Sequence, residues 1–197
     1  MNKYIYYKLY MMYTSISTFS QIILKPNSLL VLDIDETTLK FPFGGTYIDA
    51  DWWKHHFDHY YSLNHDFDFA DNKAYEKWLE HIHSVQPEFT DKKGLMDLLE
   101  LANTMNIPVI FLTARPFSLA NITITHFESL GIINKQIYYA GNIDKGTTLK
   151  NIILTQYSLV QNVIVIDDLD QNLSDIILQV GVSGNYDVQC NKFVMKR

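Results

Sequence analysis

Residues 29–38 read Leu-Leu-Val-Leu-Asp-Ile-Asp-Glu-Thr-Thr, an uncharged apolar run closed by two carboxylates one residue apart. Four apolar residues bounded by polar ones have the length of a strand. A strand that is apolar at every position is buried on both faces, as in a parallel sheet covered by helices. Asp33 and Asp35 then stand at its carboxyl end, where open α/β sheets form their ligand crevices. Two acids in one crevice repel each other, so a cation, a shared proton or a basic partner has to accompany them.

Further along, apolar segments alternate in period. Residues 91–106 place Leu95, Leu98, Leu99, Ala102 and Met105 at helical spacing, and residues 107–112 follow as a strand. A helix opening near Pro116 and ending before Gly131 comes next, Pro being favoured at a first helical position. A short strand at Gln136–Tyr139, a helix over 145–157, a strand over 162–166 and a helix over 169–180 complete the series. Strand-helix alternation of this kind predicts right-handed crossovers and a parallel sheet, an α/β fold. Residues 181–197 are expected to add one or two edge strands.

Residues 41–88 interrupt the alternation with aromatics, His and Asp. They read as a small helical cap inserted after the first strand, placed to cover the carboxyl ends of the sheet. The core is then 28–40 and 89–197, and 1–27 is expected to be an N-terminal helical segment. Within the cap, His55 and His59 have the spacing of helical metal ligands, but no His-Glu-x-x-His pattern or Cys pair accompanies them.

The later strands also end in polar residues. Residues 107–112 run into Thr113-Ala-Arg115, and 162–166 run into Asp167-Asp168, with Lys145-Gly146 between them at the start of a helix. In a parallel sheet these groups share one rim, and acids, a hydroxyl, an Arg and a Lys together suit phosphoryl transfer.

On these residues the chain resembles the haloacid dehalogenase (HAD) superfamily of aspartate-nucleophile phosphatases. Asp33-Ile-Asp35-Glu-Thr37, Leu112-Thr113-Ala-Arg115, Lys145-Gly146 and Ile166-Asp167-Asp168 stand in the order of that family's four motifs. The resemblance implies a Rossmann-like three-layer α/β/α core and a magnesium-dependent phosphomonoesterase working through an aspartyl-phosphate. Asp33 would be the nucleophile. Asp35 would be the acid/base, a role helped by a neighbouring charge that favours its protonated form, and its presence argues against dehalogenation. The resemblance implies Mg²⁺ held by the Asp33 carboxylate, the Asp35 backbone carbonyl and Asp167. Asp168 belongs to the same metal site and is expected to orient Lys145 or a metal-bound water. Thr113 would donate to a phosphoryl oxygen. Lys145 is favoured over Lys150 as the motif lysine because it precedes its helix. Arg115 either contacts substrate or pairs with a surface acid, and Asn142, Asp51 and Trp52 are further candidates for substrate contact. Asp170 and Asn172 read as solvated helix residues.

A net charge of −6 and a pI near 5.6 give no footprint for nucleic acid. The expected partner is a small phosphorylated substrate. The uncharged stretch over 9–24 is broken by Tyr, Thr, Ser and Gln, so it lacks the continuous core of a signal or a membrane span. With one cysteine, Cys190, read as a small buried residue, the expectation is a cytoplasmic protein, monomeric or dimeric. Two alternatives stay open: a phosphotransferase of the same superfamily, and a catalytically weak phosphate-binding or interaction module.

Overall fold

The computed structural model describes residues 13–43, 46, 47, 50–184 and 186–195. In chain order the strands are β1 (Tyr13–Ile16), β2 (Ser28–Leu32), β3 (Leu39–Lys40), β4 (Pro42–Phe43), β5 (Thr46–Tyr47), β6 (Glu88–Phe89), β7 (Val109–Thr113), β8 (Gln136–Tyr139), β9 (Asn162–Asp167) and β10 (Asp187–Phe193). The helices are α1 (Ala50–Asn64), α2 (Phe67–Ser84), α3 (Lys92–Thr104), α4 (Ala120–Ser129), α5 (Lys145–Gln156) and α6 (Asp170–Ile176), the last continuing as a π-helical turn over Ile177–Val182.

Six strands form one sheet in the order β1-β10-β9-β2-β7-β8, and every neighbouring pair is parallel. All five residues of β2 are buried, because it lies inside the sheet with helices over both faces. Leu30, Leu32, Phe111, Ile164 and Ile166 pack on one side with Leu95, Leu98 and Ala102 of α3 and Phe127 of α4. Their alternates Leu29, Val31, Ile110, Leu112, Val163 and Val165 pack on the other with α5 and α6. The result is a Rossmann-like three-layer fold. From β2 the chain runs outward through β7 to β8 and then crosses back to β9 on the other flank of β2. The switch point therefore opens between the carboxyl ends of β2 and β9, where such sheets bind ligands.

The two ends of the chain depart from the sequence expectation. Where an N-terminal helix was expected, residues 13–16 form a strand, paired in parallel with Cys190–Phe193. Its exposed Thr14 and Ser15 and buried Ile16 suit an outer strand better than a helix with one apolar face. Thr18 then starts a capped 3₁₀ turn that drives Phe19 into the core against Phe193, ring centroids 4.9 Å apart. Residues 1–12 lie outside the described residues. At the other end, Asp187–Phe193 is one strand and not an edge, because β1 covers its outer side. Cys190 is buried within that strand. Among the described residues no helix is long and apolar enough to cross a membrane.

The insertion leaves and rejoins the core through the antiparallel β3–β6 ribbon, Leu39 opposite Phe89. Between them α1 and α2 form a helical hairpin across a two-residue connection, with Asp66 accepting the Phe69 N–H at 3.0 Å as the cap of α2. Phe41 and Ile82 pack on Leu119 of the core, joined by Trp53 and Trp78. Among the described residues the cap histidines belong to no cluster of three or more metal-ligating side chains.

Asp91 joins the two ends of one core face. Its carboxylate caps α3 through the Gly94 N–H at 3.0 Å and accepts the Phe19 N–H at 3.0 Å and the Thr18 hydroxyl. We expect Asp91→Ala to lower the unfolding free energy by about 2–3 kcal/mol in urea titration, and Asp91→Asn by less.

Candidate active site

After β2 the backbone turns sharply. The Asp33 N–H donates to the Ile166 carbonyl at 2.9 Å, and the Thr38 and Leu39 N–H groups return to the Ile34 carbonyl. Ile34 is wholly buried, which anchors the turn. Glu36 adopts φ +60° within it, an uncommon left-handed conformation for a side chain of that size. The turn aims Asp33 and Asp35 into the switch-point crevice.

Lys145 opens α5 and is 4% exposed. Its ammonium lies 2.5 Å from Asp33 Oδ1 and 2.7 Å from Asp167 Oδ2, bridging the ends of β2 and β9. Lys150 sits within the helix instead. The anticipated contact from Lys145 to Asp168 is replaced by these two, while Asp168 accepts the Thr37 hydroxyl at 3.4 Å. The start of α5 is held by the Gly146 N–H donating to Asp175 Oδ2 at 2.7 Å. A Cβ on Gly146 would stand 2.6 Å from the Asp175 carbonyl oxygen, so only glycine allows this approach of α5 to α6.

Asp167 is 1% exposed: besides Lys145 it accepts the Leu169 N–H at 2.9 Å and the Asn172 amide at 2.9 and 3.2 Å. Asn172 is thus a buttress of the site, not a solvated helix residue. Its position five residues after Asp167, in the first turn of the next helix, was the signal available in the sequence. Asp170 pairs instead with Lys192 at 2.7 Å and accepts the Tyr13 hydroxyl at 2.5 Å.

Arg115 is 2% exposed, and its partner is Asp35 and not a surface acid. Nε and Nη2 donate to the two carboxylate oxygens at 2.9 and 2.7 Å, and Nη1 donates to Thr123 Oγ at 2.9 Å. Phe41 of the cap lies 5.6 Å below the guanidinium. The charged group against Asp35 is accordingly the Arg115 cation. Thr113 is fully buried, and its hydroxyl accepts the Arg115 N–H at 3.1 Å, shaping the turn that carries the arginine.

Asp33, Asp35, Arg115, Lys145 and Asp168 line one cleft of about 700 Å³. Its other walls, which the sequence did not assign to the site, are Trp53, Tyr75 and Trp78 from the cap and residues 192–195 at the end of β10. Asn142 is exposed and faces a separate hollow of about 190 Å³ that shares Ala114, Lys145 and Asn172 with the cleft. The side chains of Asp51 and Trp52 lie outside the described residues.

Burial pushes the Asp33 carboxyl up to about 7; Lys145 pulls it down, and Asp167 and Asp35 push it up further. Asp168 is driven up to about 9 by burial and by the Asp33 and Asp167 charges. Burial opposes the charge on Lys145, but Asp167 and Asp33 outweigh it and raise its pKa. One ammonium is too little for these acids. Asp33, Asp167 and Asp168 each offer a carboxylate oxygen, all within 4.8 Å of one another. An all-oxygen donor set with excess negative charge fits a hard divalent cation such as Mg²⁺. The Asp35 carboxylate, taken by Arg115, is outside that set.

Compared with known proteins, the chain matches no family model and no curated protein.

Raised carboxyl pKa values oppose folding once the groups ionise. Both Asp33 and Asp168 rise from 3.8. Their stabilising protonated form is complete below that value and is lost as pH climbs through about 7 and about 9. EDTA-treated protein is therefore expected to lose roughly 5 °C or more in Tm between pH 5 and pH 9. Asp168→Asn should flatten that slope and raise Tm at pH 9, both read by scanning calorimetry.

Proposed function

We propose that the chain is a magnesium-dependent phosphomonoester hydrolase of the HAD superfamily that acts through an aspartyl-phosphate on Asp33. The observation that carries this reading is the Lys145 ammonium held between Asp33 and Asp167 inside an acid trio at the sheet's switch point.

Lys145 fixes Oδ1 of Asp33, leaving the other oxygen to attack phosphorus as the P–O bond to the leaving alcohol breaks. The proton needed by the departing oxygen comes from Asp35, which has to free one oxygen from Arg115 to carry it. In the second step Asp35 takes a proton from water, the water oxygen bonds to phosphorus, and the bond from Asp33 to phosphorus breaks to release inorganic phosphate. Lys145 offsets phosphoryl charge throughout. Magnesium held by Asp33, Asp167 and Asp168 would supply further positive charge at the phosphoryl oxygens. Asn172 keeps Asp167 oriented, and Thr113 acts at one remove by setting the turn that carries Arg115. The cap limits the access of bulk water to the cleft.

With Mg²⁺, purified protein is expected to hydrolyse p-nitrophenyl phosphate, and EDTA should abolish the activity. Asp33→Asn should reduce kcat by at least about 10³-fold, and acid-quenched wild type should retain labelled phosphate that the variant lacks. Equal rates for the two proteins would overturn the mechanism.

A further inference from the structure

The cleft is far larger than a phosphoryl group, and its outer walls are of one chemical kind. Trp53, Tyr75 and Trp78 of the cap form one side, with the rings of Tyr75 and Trp78 stacked at 5.6 Å and 27°. Phe193, Val194 and Met195 supply a second apolar stretch of the same lining. All three rings are partly exposed, as a surface for a ligand must be, while Trp53 and Trp78 are braced from behind by Phe41, Ile82 and Leu119.

The charged residues of the cleft point the same way. Its cations are Arg115, Lys145 and Lys192, and each is already bound to a carboxylate: Asp35, Asp33 with Asp167, and Asp170. A second phosphate or carboxylate on the substrate would have to displace one of these pairs. A bare sugar would set its hydroxyls against rings and aliphatic side chains with few polar partners, which is costly. A flat, uncharged, aromatic group instead gains stacking on the cap rings and apolar contact with Val194 and Met195.

We infer that the substrate is a monoester whose alcohol carries a planar aromatic ring, stacked on the Trp53–Tyr75–Trp78 wall of the cleft that the 193–195 segment also lines. This rests on the phosphomonoesterase reading above and specifies its substrate. The ring can come from a nucleobase or from a simple aryl group, and both offer the same flat face.

Two matched pairs separate those sources without altering the leaving oxygen: AMP against ribose 5-phosphate, and benzyl phosphate against cyclohexylmethyl phosphate. The expected result is a kcat/KM at least about tenfold higher for the aromatic member of one or both pairs, the scale of a stacking contact. Preference in one pair alone supports the inference and names the source. Trp78→Ala should bring the preferred ratio to within about threefold of unity, and Trp78→Phe should preserve it. Tyr75→Leu serves as a second wall variant should Trp78→Ala fail to fold. In Asp33→Asn protein, AMP or benzyl phosphate should quench tryptophan fluorescence at concentrations where the non-aromatic partner does not. An active enzyme with ratios near one in both pairs, or unquenched fluorescence, overturns the inference and leaves the hydrolase reading intact. Ring-selective quenching without hydrolysis of any ester overturns the hydrolase reading and keeps the aromatic site.

Discussion

The ammonium of Lys145 bridges the buried acids Asp33 and Asp167 at the switch point, and the surrounding fold depends on it. It joins the end of β2 to the end of β9 from the first residue of α5, so sheet and helix layer meet at a single charge. A buried ion pair returns little net stability, because desolvation of both partners consumes much of the attraction. Its value here is geometric. The lysine fixes two carboxylates that would otherwise repel, and it is itself positioned by the close seat that Gly146 allows against Asp175. What remains after one cation has met several acids is a concentrated negative charge, and that surplus suits the site to a metal.

A second charge pair connects the cap to the chemistry. Arg115 grips Asp35 with two donors, reaches Thr123 with a third and rests on Phe41, the aromatic residue from which the insertion departs. His126 lies edge-on to the same ring at 5.2 Å, and burial and the neighbouring Arg115 charge hold its pKa near 4, so it packs as a neutral ring. The cap is therefore no loose lid. Movement of Phe41 alters the support under the guanidinium, and through it the Asp35 carboxylate beside Asp33.

Most of the core was readable because its signals are local. The uninterrupted apolar run before Asp33, the helical spacing of Leu95, Leu98 and Ala102, and the polar turn after each strand all arise within a few residues. The strand Gln136–Tyr139 even carries the expected bounds. What escaped was set by partners distant in sequence. Residues 13–16 have no strong helical or strand pattern, and only the edge of β10 decides their state. Arg115 next to a proline looks like a surface residue until Asp35 is placed beside it. Asn172 looks solvated until the turn after β9 brings it back to Asp167. The cap aromatics showed hydrophobic content but not which ring faces the cleft, since a helix with rings on several sides has no single inward face.

The pairing of β1 with β10 also dictates an order of events. Tyr13–Ile16 is made before every other strand of this sheet, yet its partner Cys190–Phe193 is made after all of them. The sheet cannot be finished from its N-terminal side during synthesis, and the earliest strand must wait while the rest of the core forms. Phe193, Val194 and Met195 arrive in the same closing step, so the lining of the cleft is completed only when β1 and β10 meet. Nascent protein would thus carry its acids and lysine in place before it has a cleft that can grip anything.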